Sequence, residues 1–182
     1  MSHVLVPLAQ GCEELEAITI TDLMVRAGIF VTTCGLDDKP VKAARGTIIV
    51  PDTSIDKVLN QSFDLIVLPG GLPGADHLRD NKQLQALIKK QAKQNKYLAA
   101  ICAAPKALAK AGVLEGKTAT SFPGVLAALN NTNITISDKA VEIDGNIITS
   151  RGPGTAIEFT LTLIELLEGK AKREDVDRQL VR

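Results

Sequence analysis

The stretch DLIVLPGG, residues 64–71, decides the fold class of this 182-residue chain. Its first part, Asp64–Leu68, has no alternation of polar and apolar residues, which is typical of a strand buried on both faces of a parallel sheet. The run YLAAI at Tyr97–Ile101 has the same character. Because parallel strands need a long crossover, usually helical, the helical pattern of Gln83–Gln94 between the two runs fits this interpretation.

Strand-like and helix-like patterns alternate along the rest of the chain. Further strands are predicted at Val4–Leu8, Ile29–Cys34 and Thr47–Val50, with a hairpin of Val141–Ile143 and Ile147–Thr149 around Asp144-Gly145. Further helices are predicted at Glu13–Ala27, Ala103–Ala111, from Gly152 to Glu168, and about Glu174 to Val181. This βαβα order predicts one α/β domain over residues 1–182, with a mostly parallel sheet and helices on both faces.

Composition narrows the classes of function. Lys plus Arg and Asp plus Glu both number 21, so the formal net charge is zero and no basic excess points to nucleic acid or to an anionic membrane. No apolar run reaches the roughly 20 residues of a membrane span, and the first one lacks the basic leader of a signal peptide. The three cysteines show no C-x-x-C spacing, which argues against a disulfide framework and a zinc site. We therefore expect a reducing, cytoplasmic location.

Cys102 is the first candidate for chemistry. It lies between the run ending at Ile101 and the helix that follows, with Ala100 and Ala104 two residues away on either side. Small residues at these positions are what a nucleophile elbow requires, and Pro105 suits a first helical turn. A thiol at a helix N-terminus is expected to have a lowered pKa. Alternatively, Cys102 is an inert core residue.

A pair of glycines follows the buried run at the carboxyl end of Asp64–Leu68. Gly70 and Gly71 would let backbone N–H groups approach a ligand, and the N–H groups of Gly71 and Ala103 could together stabilise an oxyanion. An ordinary turn is the alternative. The segment matches neither the phosphate-binding P-loop nor a clean G-x-G-x-x-G pattern, which excludes a nucleotide-dependent kinase.

Glu16 is the third candidate, on the first predicted helix. Helical spacing aligns it with Ile20, Leu23 and Ala27, so the carboxyl group ends an apolar stripe. Loss of hydration there would raise its pKa and let it donate a proton to a nearby thiolate. Alternatively, Glu16 is one more acid of an acidic helix start.

The other candidates are less specific. Arg26, Arg45 and Arg151 could hold an anion or could be surface charges. The segment SRGPGT at 150–155, which contains Pro153, could form a wall of a pocket. Two histidines, His3 and His77, are expected to be structural, and Cys12 and Cys34 are expected to be small buried residues.

Five segments together resemble one family. GCEELEA, RAGI, VLPGG, AAICAAP and SRGPGT occur in the order found in the ThiJ/PfpI superfamily, specifically its DJ-1 branch, which includes the parkinsonism-associated deglycase and bacterial YajL-type members. The resemblance implies a flavodoxin-like three-layer sandwich and a homodimer. It implies that Cys102 is a reactive, oxidation-sensitive cysteine bonded to a protonated Glu16, with Gly71 and Ala103 as oxyanion donors. It also implies that Arg26 and Arg45 lie near the pocket across the dimer interface.

The sequence also departs from this family in ways that bear on function. Ala103 stands where the protease-like branch has a histidine, and Phe122 stands where some members have a pocket histidine. No late His-x-Glu is present, so a protease and a glutamine amidotransferase are both disfavoured. The resemblance then implies a stress-response enzyme acting on methylglyoxal or early glycation adducts through Cys102, with no metal or cofactor. An oxidative-stress sensor or redox-regulated chaperone is the alternative.

Overall fold

A computed structural model describes all 182 residues and contains a central seven-stranded sheet. The strands are β1 (His3–Leu8), β2 (Phe30–Gly35), β3 (Val41–Lys42), β4 (Ile48–Ile49), β5 (Thr53–Ser54), β6 (Leu65–Leu68), β7 (Tyr97–Ile101), β8 (Thr118–Ala119), β9 (Thr135–Ile136), β10 (Val141–Asp144) and β11 (Ile147–Ser150). The helices are α1 (Glu14–Arg26), α2 (Ile55–Val58), α3 (Gly74–Asp80), α4 (Lys82–Lys93), α5 (Pro105–Lys110), α6 (Ala156–Glu168) and α7 (Lys170–Gln179), with short 3-10 turns at Ala127–Leu129 and Pro153–Thr155.

The main sheet has the strand order β10-β11-β7-β6-β1-β2-β5. Every neighbouring pair is parallel except β10 and β11, which form the antiparallel hairpin predicted around Asp144-Gly145. All four residues of β6 are buried, as its unbroken apolar run predicted. The predicted α/β fold with a mostly parallel sheet is therefore confirmed.

Two apolar cores lie on the two faces of this sheet. Alternate residues of β1 serve both cores, with Val4 and Val6 in one and Leu5 in the other. Helices α1 and α6 cover the first face, and α2, α4 and α5 cover the second. The result is the three-layer sandwich that the family resemblance implied.

The carboxyl ends of the central strands meet along one edge of the sheet. The chain leaves β1 toward β2 on one side and leaves β6 toward β7 on the other, so the strand order reverses between β1 and β6. Crevices at such reversals are the usual ligand sites of open α/β sheets. Glu16, Gly70 and Cys102 all follow the carboxyl ends of β1, β6 and β7.

Some local predictions were wrong. The short strand predicted at Thr47–Val50 is present as the two-residue β4, which pairs with β3 outside the main sheet, but other elements differ from the prediction. Helix α3 was not predicted, because Gly74 and the Pro-Gly turn signals before it favour a loop. Helix α5 begins at Pro105, two residues later than expected, because Cys102 adopts a non-helical conformation. None of the helices has the length and apolarity of a membrane span.

Candidate active site

Cys102 occupies a sharp turn directly after β7. Its φ of +63° lies in the left-handed region, which is uncommon for a residue with a side chain and is often found at functional turns. Two backbone hydrogen bonds hold this conformation: the Cys102 N–H donates to the Ser150 carbonyl at 2.9 Å, and the Phe122 N–H donates to the Cys102 carbonyl at 2.8 Å. The elbow geometry predicted from the small flanking alanines is therefore present.

Gly70 allows β6 to approach the elbow closely. A Cβ atom added at this position would lie 2.7 Å from the Cys102 Cβ and 2.9 Å from both the Ala103 nitrogen and Glu16 Oε2. No side chain fits in that space, so glycine is required here by packing. The residue brings the ends of β6 and β7 and the first turns of α1 into one compact site.

Glu16 is fully buried beside Gly70. Its Oε2 accepts a 2.7 Å hydrogen bond from the Gly70 N–H, while its Oε1 is buried without a partner. Burial raises the pKa of Glu16 to about 7, against the lowering effects of the Gly70 amide and the Cys102 side chain. The direction agrees with the one expected from the apolar stripe of α1. A carboxyl group with this pKa can both accept and donate a proton near neutral pH.

The pKa of Cys102 moves in the direction opposite to the expected one. Burial raises it to about 12, and the charge of an ionised Glu16 adds to the increase. The N–H groups of Gly71 and Ala103 act in the other direction by hydrogen bonding to the thiol group. The helix expected to lower the pKa has only six residues and begins three residues after Cys102, so its dipole is small.

Cys102 and Glu16 therefore titrate as a pair. When Glu16 gains a proton, the negative charge that disfavours the thiolate disappears, and the two backbone N–H groups remain to stabilise the sulfur. Transfer of the thiol proton to Glu16 would produce a thiolate beside a neutral carboxyl group. This arrangement can activate the sulfur without a histidine.

An open cleft of about 250 Å³ lies over Cys102. Its walls come from six separate segments of the chain and are mostly apolar. The lining residues are Glu13, Ala44, Arg45, Gly71, Leu72, Cys102, Ala103, Phe122, Val125 and Pro153. The structure thus brings Gly71, Ala103, Phe122 and Pro153 together around the thiol.

The three candidate arginines lie in different places. Arg45 lines the cleft, with its guanidinium 3.9 Å from the Glu13 carboxylate and largely exposed. Arg26 ends α1, about 15 Å along the helix axis from Glu16, and pairs with Asp22 at 2.7 Å. Arg151 bonds to the Asp138 carbonyl at 2.9 Å and does not line the cleft. Within one chain, only Arg45 of the three reaches the site.

Neither histidine reaches the cleft. His3 begins β1, at the opposite end of the sheet, and hydrogen bonds to Thr32. His77 belongs to α3 and lines a different cavity. No group of three or more His, Cys, Asp or Glu side chains is arranged to hold a metal ion.

Sequence reasoning missed several residues of the cleft. Leu72 and Val125 lie in loops, where no periodic pattern marks them, and Ala44 follows the short β3. Glu13 was predicted only as the first residue of the first helix, but the structure buries most of it and turns it toward Arg45. Its position three residues before Glu16 was the only available signal, because this spacing returns to nearly the same face of a helix.

Comparison with known proteins gives consistent matches. Residues 2–166 match the DJ-1/PfpI family. Protein dj-1beta of Drosophila melanogaster is 46% identical over 178 residues, covering 97% of this chain and 95% of that protein. Its crystal structure superposes with a TM-score of 0.96, covering 100% of this chain and 98% of the other.

Two further relatives bear on chemistry. The glutathione-independent glyoxalase DJR-1.2 of Caenorhabditis elegans is 36% identical over 171 residues, covering 94% of this chain and 91% of that protein. The structure of oxidized Toxoplasma gondii DJ-1 is 37% identical and superposes with a TM-score of 0.94, covering 100% of this chain and 98% of the other.

Proposed function

The chain belongs to the DJ-1/PfpI family, and from this we propose that it is a glutathione-independent glyoxalase or deglycase that uses the Cys102 thiolate. Its substrates are methylglyoxal or the early adducts of methylglyoxal on protein thiols and amines. The naming of the similar C. elegans protein as a glutathione-independent glyoxalase supports this class of activity.

One observation carries the proposal: the buried pair of Cys102 and Glu16, with the Gly71 and Ala103 N–H groups at the sulfur. Glu16 has a pKa of about 7, because burial opposes its ionisation, and can therefore move a proton in either direction at neutral pH. The site thus has the groups that aldehyde chemistry requires: Cys102 is the nucleophile, Glu16 is the acid–base group, and the two N–H groups are the oxyanion donors.

The proposed reaction begins with transfer of the thiol proton to Glu16. The sulfur then bonds to the aldehyde carbon, and the carbonyl electron pair moves to the oxygen, which the Gly71 and Ala103 N–H groups stabilise. That oxygen takes the proton from Glu16 to give a hemithioacetal. The ionised Glu16 next removes the hydrogen on this carbon as a proton, and the hydroxyl proton passes to the former keto oxygen. Glu16 then delivers its proton to the former keto carbon, which leaves a thioester of lactate. Water hydrolyses the thioester to lactate and restores the thiol, so the net change is addition of one water without an external oxidant.

The experiment is lactate formation from methylglyoxal in the absence of glutathione. We expect turnover by the wild type, loss of turnover in Cys102→Ala, and retained turnover in Cys34→Ala, a matched removal of a buried cysteine outside the cleft. Turnover that is absent, or equal in wild type and Cys102→Ala, would contradict the proposal.

A second candidate function is an oxidative-stress sensor or redox-regulated chaperone. Cys102 is 8% exposed and borders the cleft, whereas Cys12 and Cys34 are fully buried, so an oxidant reaches Cys102 first. Two equivalents of peroxide would convert the Cys102 thiolate first to a sulfenate and then to a sulfinate, releasing one water at each step. Peptide mapping after mild peroxide treatment tests this, and oxidation at Cys12 or Cys34 instead of Cys102 would exclude it.

We also propose a cytoplasmic homodimer. An apolar stripe of Leu15, Ile18 and Val25 lies exposed on α1. Glu14 accepts hydrogen bonds from the Arg45 N–H, so the loop between β3 and β4 lies beside the start of this helix. Exposed apolar stripes of this kind are typical of subunit interfaces. Arg26 lies far from the cleft of its own chain. A partner subunit packed along α1 could bring its own copy of this residue toward the cleft, as the family resemblance implies.

A further inference from the structure

The side chains that line the cleft around Cys102 are mostly apolar, with one acidic and one basic residue among them. Glu13 and Arg45 are the only charged residues of the cleft, and they face each other at 3.9 Å. The largest remaining side chains are apolar and open to solvent: Phe122 is 49% exposed and Leu72 is 58% exposed. Val125 adds to the same apolar wall. An apolar ligand that covers these exposed groups removes apolar surface from water, which favours its binding beside the reactive thiol.

Phe122 is held in place beside the nucleophile. Its N–H donates to the Cys102 carbonyl at 2.8 Å, and its carbonyl accepts from the Val125 N–H at 3.0 Å. Its ring rests over Gly152, where an added Cβ would lie 3.4 Å from the ring carbon Cδ2. The backbone of Phe122 is therefore fixed beside Cys102, and its half-exposed ring lies against Gly152 at the border of the cleft.

The cleft is also larger than a three-carbon aldehyde requires. Its volume is about 250 Å³, and it is open to solvent on one side. When methylglyoxal is attached to Cys102, its methyl group is the only hydrocarbon group that it can place against the apolar wall. An aryl group or a longer alkyl chain on the keto carbon could reach Phe122 and Leu72 and displace water from them.

We propose that the cleft selects 2-oxoaldehydes whose keto carbon carries a large apolar group, such as phenylglyoxal or a longer alkylglyoxal, over methylglyoxal. This inference rests on the proposed glyoxalase activity and names the substrate class of the same site. Phe122 is its main specificity-determining residue, with Leu72 and Val125 completing the apolar wall. Each additional methylene that a substrate buries in an apolar pocket raises kcat/KM by roughly 10- to 200-fold. Because this cleft is half open, we expect an effect near the lower value.

The first test compares kcat/KM for phenylglyoxal and methylglyoxal. We expect a preference of about tenfold for phenylglyoxal in the wild type, which falls severalfold in Phe122→Ala. Ile136→Ala, which removes an equally exposed apolar side chain on β9, should retain the wild-type ratio. Turnover of both aldehydes with a ratio that Phe122→Ala does not change would overturn the inference while leaving the proposed activity intact.

The second test measures the apolar preference without turnover. Intact-mass analysis gives the rates at which N-benzylmaleimide and N-methylmaleimide add to Cys102. The quotient of the two rates, benzyl over methyl, is compared with the same quotient for the free thiol of glutathione. We expect a quotient severalfold above that of glutathione, lowered by Phe122→Ala. If neither aldehyde is turned over, the proposed activity fails, and the maleimide quotient still decides whether the cleft prefers apolar groups. A quotient equal to that of glutathione overturns the preference.

Discussion

The Gly70 N–H donates a 2.7 Å hydrogen bond to Oε2 of Glu16 and fixes this fully buried carboxyl group beside Cys102. The other oxygen, Oε1, has no partner and remains available for proton transfer. Two residues far apart in sequence are thus joined because β1 and β6 are neighbours in the sheet. The bond orients the acid–base group without relying on a second side chain.

Glu16→Gln should lower kcat for the 2-oxoaldehyde reaction by about 10²–10⁴-fold, because an amide cannot exchange a proton with Cys102 or the substrate. The Gln side chain can still accept the Gly70 hydrogen bond, so the fold should be preserved. The measurement is lactate production with circular dichroism as the check on folding. Glu174→Gln, on the exposed surface of α7, is the matched control and should retain full activity. Unchanged turnover in Glu16→Gln would remove Glu16 from the mechanism.

Glu16 should also make stability depend on pH. Burial raises its pKa from the ordinary 4.5 to about 7, so the folded state binds the proton more tightly than the unfolded state does. The free energy of unfolding therefore contains a contribution that is fully present below pH 4.5 and is lost as the pH rises through about 7. The shift corresponds to on the order of 3 kcal/mol.

Thermal unfolding between pH 4.5 and 8 checks this relation. In Glu16→Gln the difference in Tm from the wild type should grow in favour of the variant as the pH rises, because a neutral amide has no ionisation to suppress. At about 2–4 °C per kcal/mol for a chain of this length, the change is easily measured. Parallel pH profiles for the two proteins would contradict the raised pKa of Glu16.

Gly70→Ala should damage both stability and activity. The added Cβ would lie 2.7 Å from the Cys102 Cβ, so the elbow or the end of β6 must move. We expect a loss of about 1–3 kcal/mol in the free energy of unfolding, typical of overpacking, together with a loss of turnover. Gly154→Ala is the matched control, because a Cβ there meets nothing within 4 Å. A Gly70→Ala protein as stable and active as Gly154→Ala would show that the close approach is not required.

Local sequence features determine one part of the site, and tertiary packing determines the rest. The elbow at Cys102 was predictable, because the small residues around it and the change from strand to helix are local features. The apolar stripe that buries Glu16 was predictable for the same reason. The raised pKa of Cys102 was not, because it depends on burial and on the charge of Glu16, which reaches the thiol only through tertiary packing. Leu72 belongs to the cleft through a loop path that no periodicity encodes.

The exposed stripe on α1 provides a test of the oligomeric state. Ile18 and Val25 are 48% and 61% exposed and lie on the same side of the helix as Leu15. If this stripe is the dimer interface, replacing both residues by glutamate buries two unpaired charges on each subunit and should weaken association by at least roughly 30-fold, the equivalent of about 2 kcal/mol.

Light scattering coupled to size-exclusion chromatography measures the result. The wild type should elute with the mass of a dimer, and the Ile18→Glu, Val25→Glu double variant should elute as a monomer at micromolar concentration. Ile136→Glu places a charge on an apolar residue of similar exposure on β9, away from the stripe, and should remain dimeric. A wild-type monomer would contradict the dimer, and a dimeric double variant would move the interface elsewhere. Arg26 ends the same helix. If the dimer forms along α1, loss of the dimer in the double variant should therefore be accompanied by loss of any contribution of Arg26 to substrate binding.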